Sequence, residues 1–236
     1  MTYTQKISTS ILAITFFGSI VSPALADSDE FYRALSKIQE QKHSLAARDL
    51  EVLGRQLQKR GDLANAYRSQ ATSTLIRERL DPYQYATPST ITKGAYHRPD
   101  WYRFGSCWSN GRDGFSGGSC EFGVGWMEPP TNIKNFGGIV ILDNQLITPP
   151  SKNNVRGILD TVVVPRLKAN ESVVSSCEIT NSNGKKQGVL ALVTYNAKLN
   201  TYTKVRRAWY PNIQAKRLQP VESKKVTCPM PYDPEG

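Results

Sequence analysis

The hydrophobic pattern of the chain changes at Asp81-Pro82. Before that point, apolar residues recur mostly at three- and four-residue steps while Lys, Arg, Glu and Gln fill the gaps, which predicts amphipathic helices. Gly61 can end one helix, Asp62 can cap the next, and the residue before Pro82 is pushed out of the helical region. We therefore predict a helical hairpin over residues 27–81. Its recurring apolar positions are Phe31, Leu35, Ile38, Leu45, Ala46, Leu50, Leu53 and Leu57.

Residues 47–80 place leucines, small residues and a glycine turn in a particular order. The residues concerned are Leu50, Leu53, Gly54, Leu57, Gly61, Leu63 and Ala66. In this order the stretch resembles one tetratricopeptide repeat, from which it departs at Gln70, Ser73 and Glu78. The resemblance implies a protein-binding role without catalysis. Arrays of such repeats generally need three or more copies and no second copy follows, so the alternative is a generic helical hairpin packed on the rest of the protein.

After Pro82 the composition changes to that of a β protein. Residues 82–100 contain Pro, Tyr, Ser and Thr in a pattern typical of a linker or of an extended surface segment. From residue 101 onwards, short runs of β-branched residues alternate with turn residues, and helical periodicity disappears. We predict an antiparallel sandwich or barrel over residues 101–236, and an α+β fold for the chain.

Three hairpins are predicted within this β region. The first covers residues 138–147 and turns at Asp143-Asn144. The second covers residues 172–195 and turns at Asn183-Gly184, a sequence that favours tight hairpin turns. The third covers residues 202–221. Consecutive hairpins of this kind predict neighbouring antiparallel strands.

The first 26 residues have the composition of an export signal. A short positive start ends at Lys6, a mostly apolar run covers residues 7–21, and Ala24 and Ala26 supply the small residues of a cleavage site. The alternative is a permanent membrane anchor, but the run contains Ser, Thr and Gly and is shorter than the roughly 20 apolar residues that span a bilayer. We expect residues 1–26 to be removed, which leaves a periplasmic or extracellular protein without a transmembrane segment.

All four cysteines lie in the β region. An even number of cysteines in an exported chain indicates disulfides, because the compartment is oxidising. Four cysteines allow three pairings, of which we favour Cys107 with Cys120 and Cys177 with Cys228. Strand alternation places Val173 and Ile179 on the same buried face as Cys177. The chain has no C-x-x-C pair, so neither a zinc site nor another cofactor is predicted.

Glycines and aromatic residues are concentrated in residues 94–138, which hold three of the four tryptophans. Trp101, Trp108 and Trp126 could form a rigid platform for sugar rings or for an extended peptide. The alternative is structural, with tryptophans that fill the core of a small β domain and glycines that turn its corners. We favour the structural alternative, because Phe122 and Trp126 are spaced as inward-facing residues, and retain the three tryptophans as candidate binding residues.

The same segment contains carboxylates that are candidate catalytic residues of a hydrolase. Glycoside hydrolases use two carboxylates roughly 5 to 10 Å apart, and Asp113 and Glu121 are candidates for such a pair. The sequence lacks the patterns of a serine nucleophile elbow, a phosphate-binding loop, a dinucleotide site and a zinc protease. An envelope polysaccharide hydrolase is therefore the alternative function.

The net charge of +10 is concentrated in the β region. Residues 27–81 carry ten bases and nine acids, whereas residues 82–236 carry 19 bases and 11 acids. Such a surface attracts acidic polymers or proteins, although it can also serve solubility alone. Export makes nucleic acid an unexpected partner. The candidate residues of this cationic surface are Arg206, Arg207, Lys216 and Arg217.

The export signal, the disulfides and the positive charge together predict an exported, non-catalytic binding or structural protein of the bacterial envelope. Its partner is expected to be an acidic envelope polymer or another protein that contacts the basic β region. The sequence assigns no oligomeric state.

Overall fold

The computed structural model describes residues 23–40, 42–79, 102–109, 112–113, 121–145, 156–181 and 183–229. Within these residues, three helices precede two antiparallel sheets, so the fold class is α+β, as the sequence predicts. The helices are α1 (Pro23–Gln39), α2 (His43–Lys59) and α3 (Leu63–Arg79). The predicted linker, residues 82–100, and residues 1–22 of the predicted export signal lie outside the described residues.

Each sheet contains five of the described strands. The first sheet has the strand order β2-β1-β3-β4-β5, and the second has the order β10-β6-β7-β8-β9. The strands of the first sheet are β1 (Tyr102–Ser109), β2 (Arg112–Asp113), β3 (Phe122–Met127), β4 (Phe136–Gln145) and β5 (Arg156–Pro165). Those of the second are β6 (Glu171–Thr180), β7 (Lys186–Asn196), β8 (Thr201–Asn212), β9 (Arg217–Val221) and β10 (Val226–Thr227).

The described helical part has three helices where the sequence pattern predicts two. The chain leaves the helical conformation between α1 and α2, where the N–H of Lys42 bonds to the carbonyl of Lys37. The pattern does not mark this break, because helix-favouring Glu, Gln and Lys occupy it. The turn at Gly61 is confirmed by its φ of 82°, and the Asp62 carboxylate accepts a hydrogen bond from the N–H of Asn65. Among the described residues, no helix has both the length and the apolar character needed to cross a bilayer.

The helices and the first sheet share one hydrophobic core. Alternation along β4 puts Ile139 and Ile141 on the face that packs against the helices. Val140 and Leu142 point the other way, into a second core where they meet Leu192 of β7. The helical segment is therefore one layer of the fold, with the first sheet in the middle and the second sheet beyond it.

The predicted turn at Asp143-Asn144 is wrong, because β4 continues through both residues. Asp143 is buried and pairs with Gly123 of β3 on one side and with Ile158 of β5 on the other. A turn at this point would leave both neighbouring strands without part of their partner. The hairpins β6–β7 and β8–β9 are confirmed, and Gly184 has the positive φ of 72° that the first of them requires.

The disulfide between Cys177 and Cys228 is confirmed, but its surroundings differ from the prediction. A β-bulge between Val174 and Cys177 inserts one extra residue into β6 and shifts the alternation of its side chains. Val173 therefore faces the core between the two sheets, whereas Cys177 lies on the opposite face of the second sheet. Cys107 lies in β1, and its predicted partner, Cys120, lies outside the described residues.

Candidate functional site

The two candidate tryptophans that the structure describes are core residues. Trp108 is 1% exposed and Trp126 is 9% exposed, and both lie between the sheets. The indole of Trp108 covers Gly188 so closely that a Cβ there would lie 2.7 Å from the ring. Trp126 Nε1 donates a hydrogen bond to the Gly137 carbonyl at 3.2 Å. Neither ring presents a face to solvent, and Trp101 lies outside the described residues.

The four candidate cations belong to two separate regions. Arg206 and Arg207 lie at a β-bulge in β8, whereas Lys216 and Arg217 lie at the turn between β8 and β9. At about 3.3 Å per residue, about 20 Å of strand separates the two pairs. The Arg217 guanidinium stacks on the ring of Tyr32, 3.4 Å from the ring centroid. The structure therefore does not bring these four residues together in one patch.

Asp160 connects the helical layer to both sheets. This carboxylate is 1% exposed, and its Oδ1 accepts hydrogen bonds from the Tyr32 hydroxyl at 3.1 Å and from the Arg68 guanidinium at 2.7 Å. Its Oδ2 accepts the N–H of Leu218 in β9 at 2.7 Å. The Arg68 guanidinium also lies over the Phe31 ring, 3.8 Å from its centroid. We call Tyr32, Arg68, Asp160 and Leu218 the Asp160 junction, a buried structural network whose polar groups satisfy one another.

Glu171, the first residue of β6, organises the opposite part of the second sheet. Its Oε1 accepts a hydrogen bond from Arg206 at 2.7 Å, and its Oε2 accepts the N–H of Lys168 at 3.0 Å. Burial acts to raise the pKa of this carboxyl, but those hydrogen bonds and the two positive charges outweigh burial and hold the pKa below its usual value. Thr194 pairs with Glu171 on one side and with Lys204 on the other. These residues therefore cluster beside the connection between β5 and β6.

A cleft of about 390 Å³ opens next to that connection. It lies between α3, the loop that joins β3 to β4, and the residues that follow β5. Its lining combines apolar side chains with two cations and one carboxylate. The lining residues are Tyr67, Glu128, Pro129, Thr131, Ile133, Lys134, Phe136, Gly137, Arg166 and Leu167.

Tyr67 and Glu128 set the polar chemistry of the cleft. Tyr67 is 4% exposed and packs against Phe136 with ring centroids 5.0 Å apart. Burial, together with the negative charge of Glu128, raises the pKa of Tyr67 to about 12. The hydroxyl therefore keeps its proton, and no described residue forms a hydrogen bond with it. Glu128 is held by Arg103 of β1, whose Nε donates to the carboxylate at 2.9 Å.

Cations outnumber carboxylates around the cleft and Glu171. Glu128 forms an ion pair with Arg103, and Glu171 forms one with Arg206. No other ion pair joins a described carboxylate to the remaining cations of this region. We call the exposed cations around the cleft and Glu171 the basic end. They are Lys134, Arg166, Lys168, Lys204, Arg206 and Arg207.

The candidate catalytic carboxylates lie away from the cleft. Asp113 is in β2, and the exposed Glu121 precedes β3, so the two lie on opposite sides of β1. Among its described lining residues the cleft has one carboxylate, Glu128, which forms an ion pair with Arg103. Within the described part of the chain, no group of three or more His, Cys, Asp or Glu residues could hold a metal ion.

Sequence reasoning found only two members of the basic end, Arg206 and Arg207. It missed Lys134 and Arg166 because their neighbours in the cleft come from distant parts of the chain. The sequence does contain one indication of this region. Arg166 and Lys168 follow Pro165, which ends a predicted strand, so a cationic connection at the end of a sheet could have been predicted.

No protein-family model, no curated protein and no solved structure matches this chain. The resemblance of residues 47–80 to a tetratricopeptide repeat stays a prediction. The helices α2 and α3 do approach closely at Gly54, where an added Cβ would lie 2.8 Å from Gln70 Cγ.

Proposed function

We propose that this chain is an exported, non-catalytic binding protein that engages an acidic partner at its basic end. The observation that carries the proposal is the charge balance there. Glu128 and Glu171, the two nearby carboxylates, already form ion pairs with Arg103 and Arg206, and five further exposed cations form no ion pair with a described residue. Like charges held close together repel one another, so their concentration at one end favours a role in binding over a role in folding.

Other observations support the remaining parts of the proposal. The disulfide between Cys177 and Cys228 fits an oxidising compartment outside the cytoplasm. Arg103 donates a hydrogen bond to the carboxylate of Glu128, and the described lining of the cleft holds no second carboxylate for acid–base catalysis. Binding of an acidic partner therefore accounts for more of the geometry than hydrolysis does.

The test uses two acidic probes, poly-L-glutamate and polygalacturonate, titrated into the purified protein by calorimetry. We expect binding at about 50 mM NaCl that weakens by about tenfold or more at about 500 mM, because salt screens exposed charges. The double variant Lys204→Gln/Arg207→Gln should weaken binding by about tenfold at low salt. Absence of binding to both probes at low salt would refute the proposal.

A matched control separates the basic end from net charge. Lys185 and Lys216 are exposed, form no ion pair among the described residues, and lie at the opposite ends of β6 and β8 from Glu171 and Lys204. At about 3.3 Å per residue, the length of β6 separates the two ends by about 30 Å. Lys185→Gln/Lys216→Gln removes the same charge and is expected to keep near-normal binding. Equal weakening by the two double variants would show that only total charge matters.

A further inference from the structure

The cleft beside the basic end is lined by a mixture of apolar, polar and cationic side chains. Ile133 and Leu167 line it together with the partly buried ring of Phe136. Lys134 and Arg166 are exposed at the same cleft and form no ion pair within the described residues. A ligand that joins an apolar group to neighbouring negative charges would match both the apolar side chains and the cations of this lining.

We infer that the cleft binds one apolar side chain of an acidic, extended peptide, with the carboxylates that flank this side chain held by Lys134 and Arg166. The inference rests on the proposed function and names the class of its acidic partner. The peptide's apolar side chain displaces water from the cleft, and its neighbouring carboxylates pair with two cations that form no ion pair with a described residue.

The internal electrostatics of the cleft favour an anionic peptide. Glu128, the one carboxylate among the described lining residues, is engaged by Arg103, so repulsion of an incoming acid is reduced. The Tyr67 hydroxyl keeps its proton at neutral pH and has no hydrogen-bond partner among the described residues. It is therefore available to donate to a main-chain carbonyl or a carboxylate of the peptide.

The aromatic residues favour a peptide over an acidic polysaccharide. Sugar rings bind to open, flat aromatic faces, but Tyr67 is 4% exposed and its ring packs against Phe136. Trp108 and Trp126 are buried between the sheets. The volume of about 390 Å³ is near the lower limit of ordinary ligand pockets and suits one large side chain with its adjacent main chain.

The experiment compares two short fluorescent peptides that are rich in Glu and differ at one central residue, Phe or Ser. At low salt both should bind, and the Phe peptide should bind about tenfold more tightly because its ring is buried. Arg166→Gln should weaken binding of both peptides by several fold, whereas Lys216→Gln, at the far end of β8, should leave both unchanged. Equal affinity of the two peptides would overturn the inference.

A cross-linking experiment locates the side chain without any variant of the protein. Benzoylphenylalanine replaces the central Phe, and the light-induced cross-link is mapped by mass spectrometry. Cross-links to residues 129–137 or 166–167 are expected, because these segments line the cleft. Cross-links that map only elsewhere would overturn the inference.

The outcomes also distinguish this inference from the proposed function. If polygalacturonate binds in a salt-dependent manner at the basic end and the peptides show no preference for Phe, the inference fails and the proposed function stands. If none of the acidic probes binds at low salt, the proposed function fails and the inference fails with it.

Discussion

The Asp160 junction and the basic end use the same kinds of residue in opposite proportions. At the junction, one buried carboxylate accepts four hydrogen bonds, from Tyr32, Arg68, the Thr161 N–H and the Leu218 N–H. Its arginine partner has a side chain that is only 14% exposed. At the basic end, exposed cations outnumber the nearby carboxylates, and five of them form no ion pair with a described residue.

The difference follows from the access of water to the charged groups of each region. A buried charge must find its partner inside the protein, because its desolvation costs several kcal/mol. An exposed cation is solvated whether or not a carboxylate lies beside it, so the fold does not determine its pairing. The matched charges of the junction therefore serve stability, and the unmatched charges of the basic end are available to a partner.

The largest expected effect is that of Asp160→Ala. This change leaves the Arg68 guanidinium without its carboxylate and the Leu218 N–H without its acceptor, which should lower the free energy of unfolding by about 3–5 kcal/mol. Urea unfolding followed by circular dichroism measures the loss. The control is Glu178→Ala, which removes an exposed ion pair with Lys186 and should cost less than about 1 kcal/mol. Similar losses in the two variants would contradict the contrast between buried and exposed charge.

The next effect concerns Tyr67, the most deeply buried polar group of the cleft. In the unfolded chain its pKa is near 10.0, and in the folded protein it is about 12, so the unfolded state loses its proton first as the pH rises. The contribution of Tyr67 to stability is complete below pH 10 and is lost as the pH rises towards 12, by about 2 kcal/mol. Unfolding free energies of the protein and of Tyr67→Phe across this range measure the effect, and the value for the protein should fall relative to that for Tyr67→Phe as the pH rises. A difference independent of pH would contradict the raised pKa.

The smallest expected effect separates two neighbours that the sequence groups together. Arg217 stacks on Tyr32 at the edge of the junction, whereas Lys216 is exposed in the turn before it. Arg217→Gln should lower the unfolding free energy by about 0.5–1 kcal/mol, and Lys216→Gln should change it by less than that. Thermal unfolding measures both variants. An equal cost would mean that the stacking contact contributes nothing to stability.

The sequence predicted the parts of the fold that depend on local signals. The glycine turns at Gly61 and Gly184 and the switch from helices to strands were all readable. The break between α1 and α2 was not, because it depends on packing rather than on a helix-breaking residue. The predicted turn at Asp143-Asn144 was wrong for a related reason. Both residues favour turns, but pairing with strands on both sides keeps them in β4.

The candidate site was less predictable than the fold, because it is assembled from distant segments. Tyr67 comes from α3, Glu128 to Gly137 follow β3, and Arg166 follows β5. No sequence spacing brings these segments together; only the packing of α3 on the first sheet does so. The bulge in β6 was likewise not predictable from sequence spacing. One inserted residue puts Val173 and Cys177 on opposite faces, where strict alternation predicts the same face.

The junction also sets an order of events for a chain that is made from its N-terminus. Tyr32 and its partner Asp160 are 128 residues apart, so the helices emerge long before the strand that completes their core. Until β4 and β5 follow, the apolar faces of α1 to α3 have no sheet to cover them. Until β5 has been made, these uncovered faces are therefore apolar surface through which the new chain can aggregate.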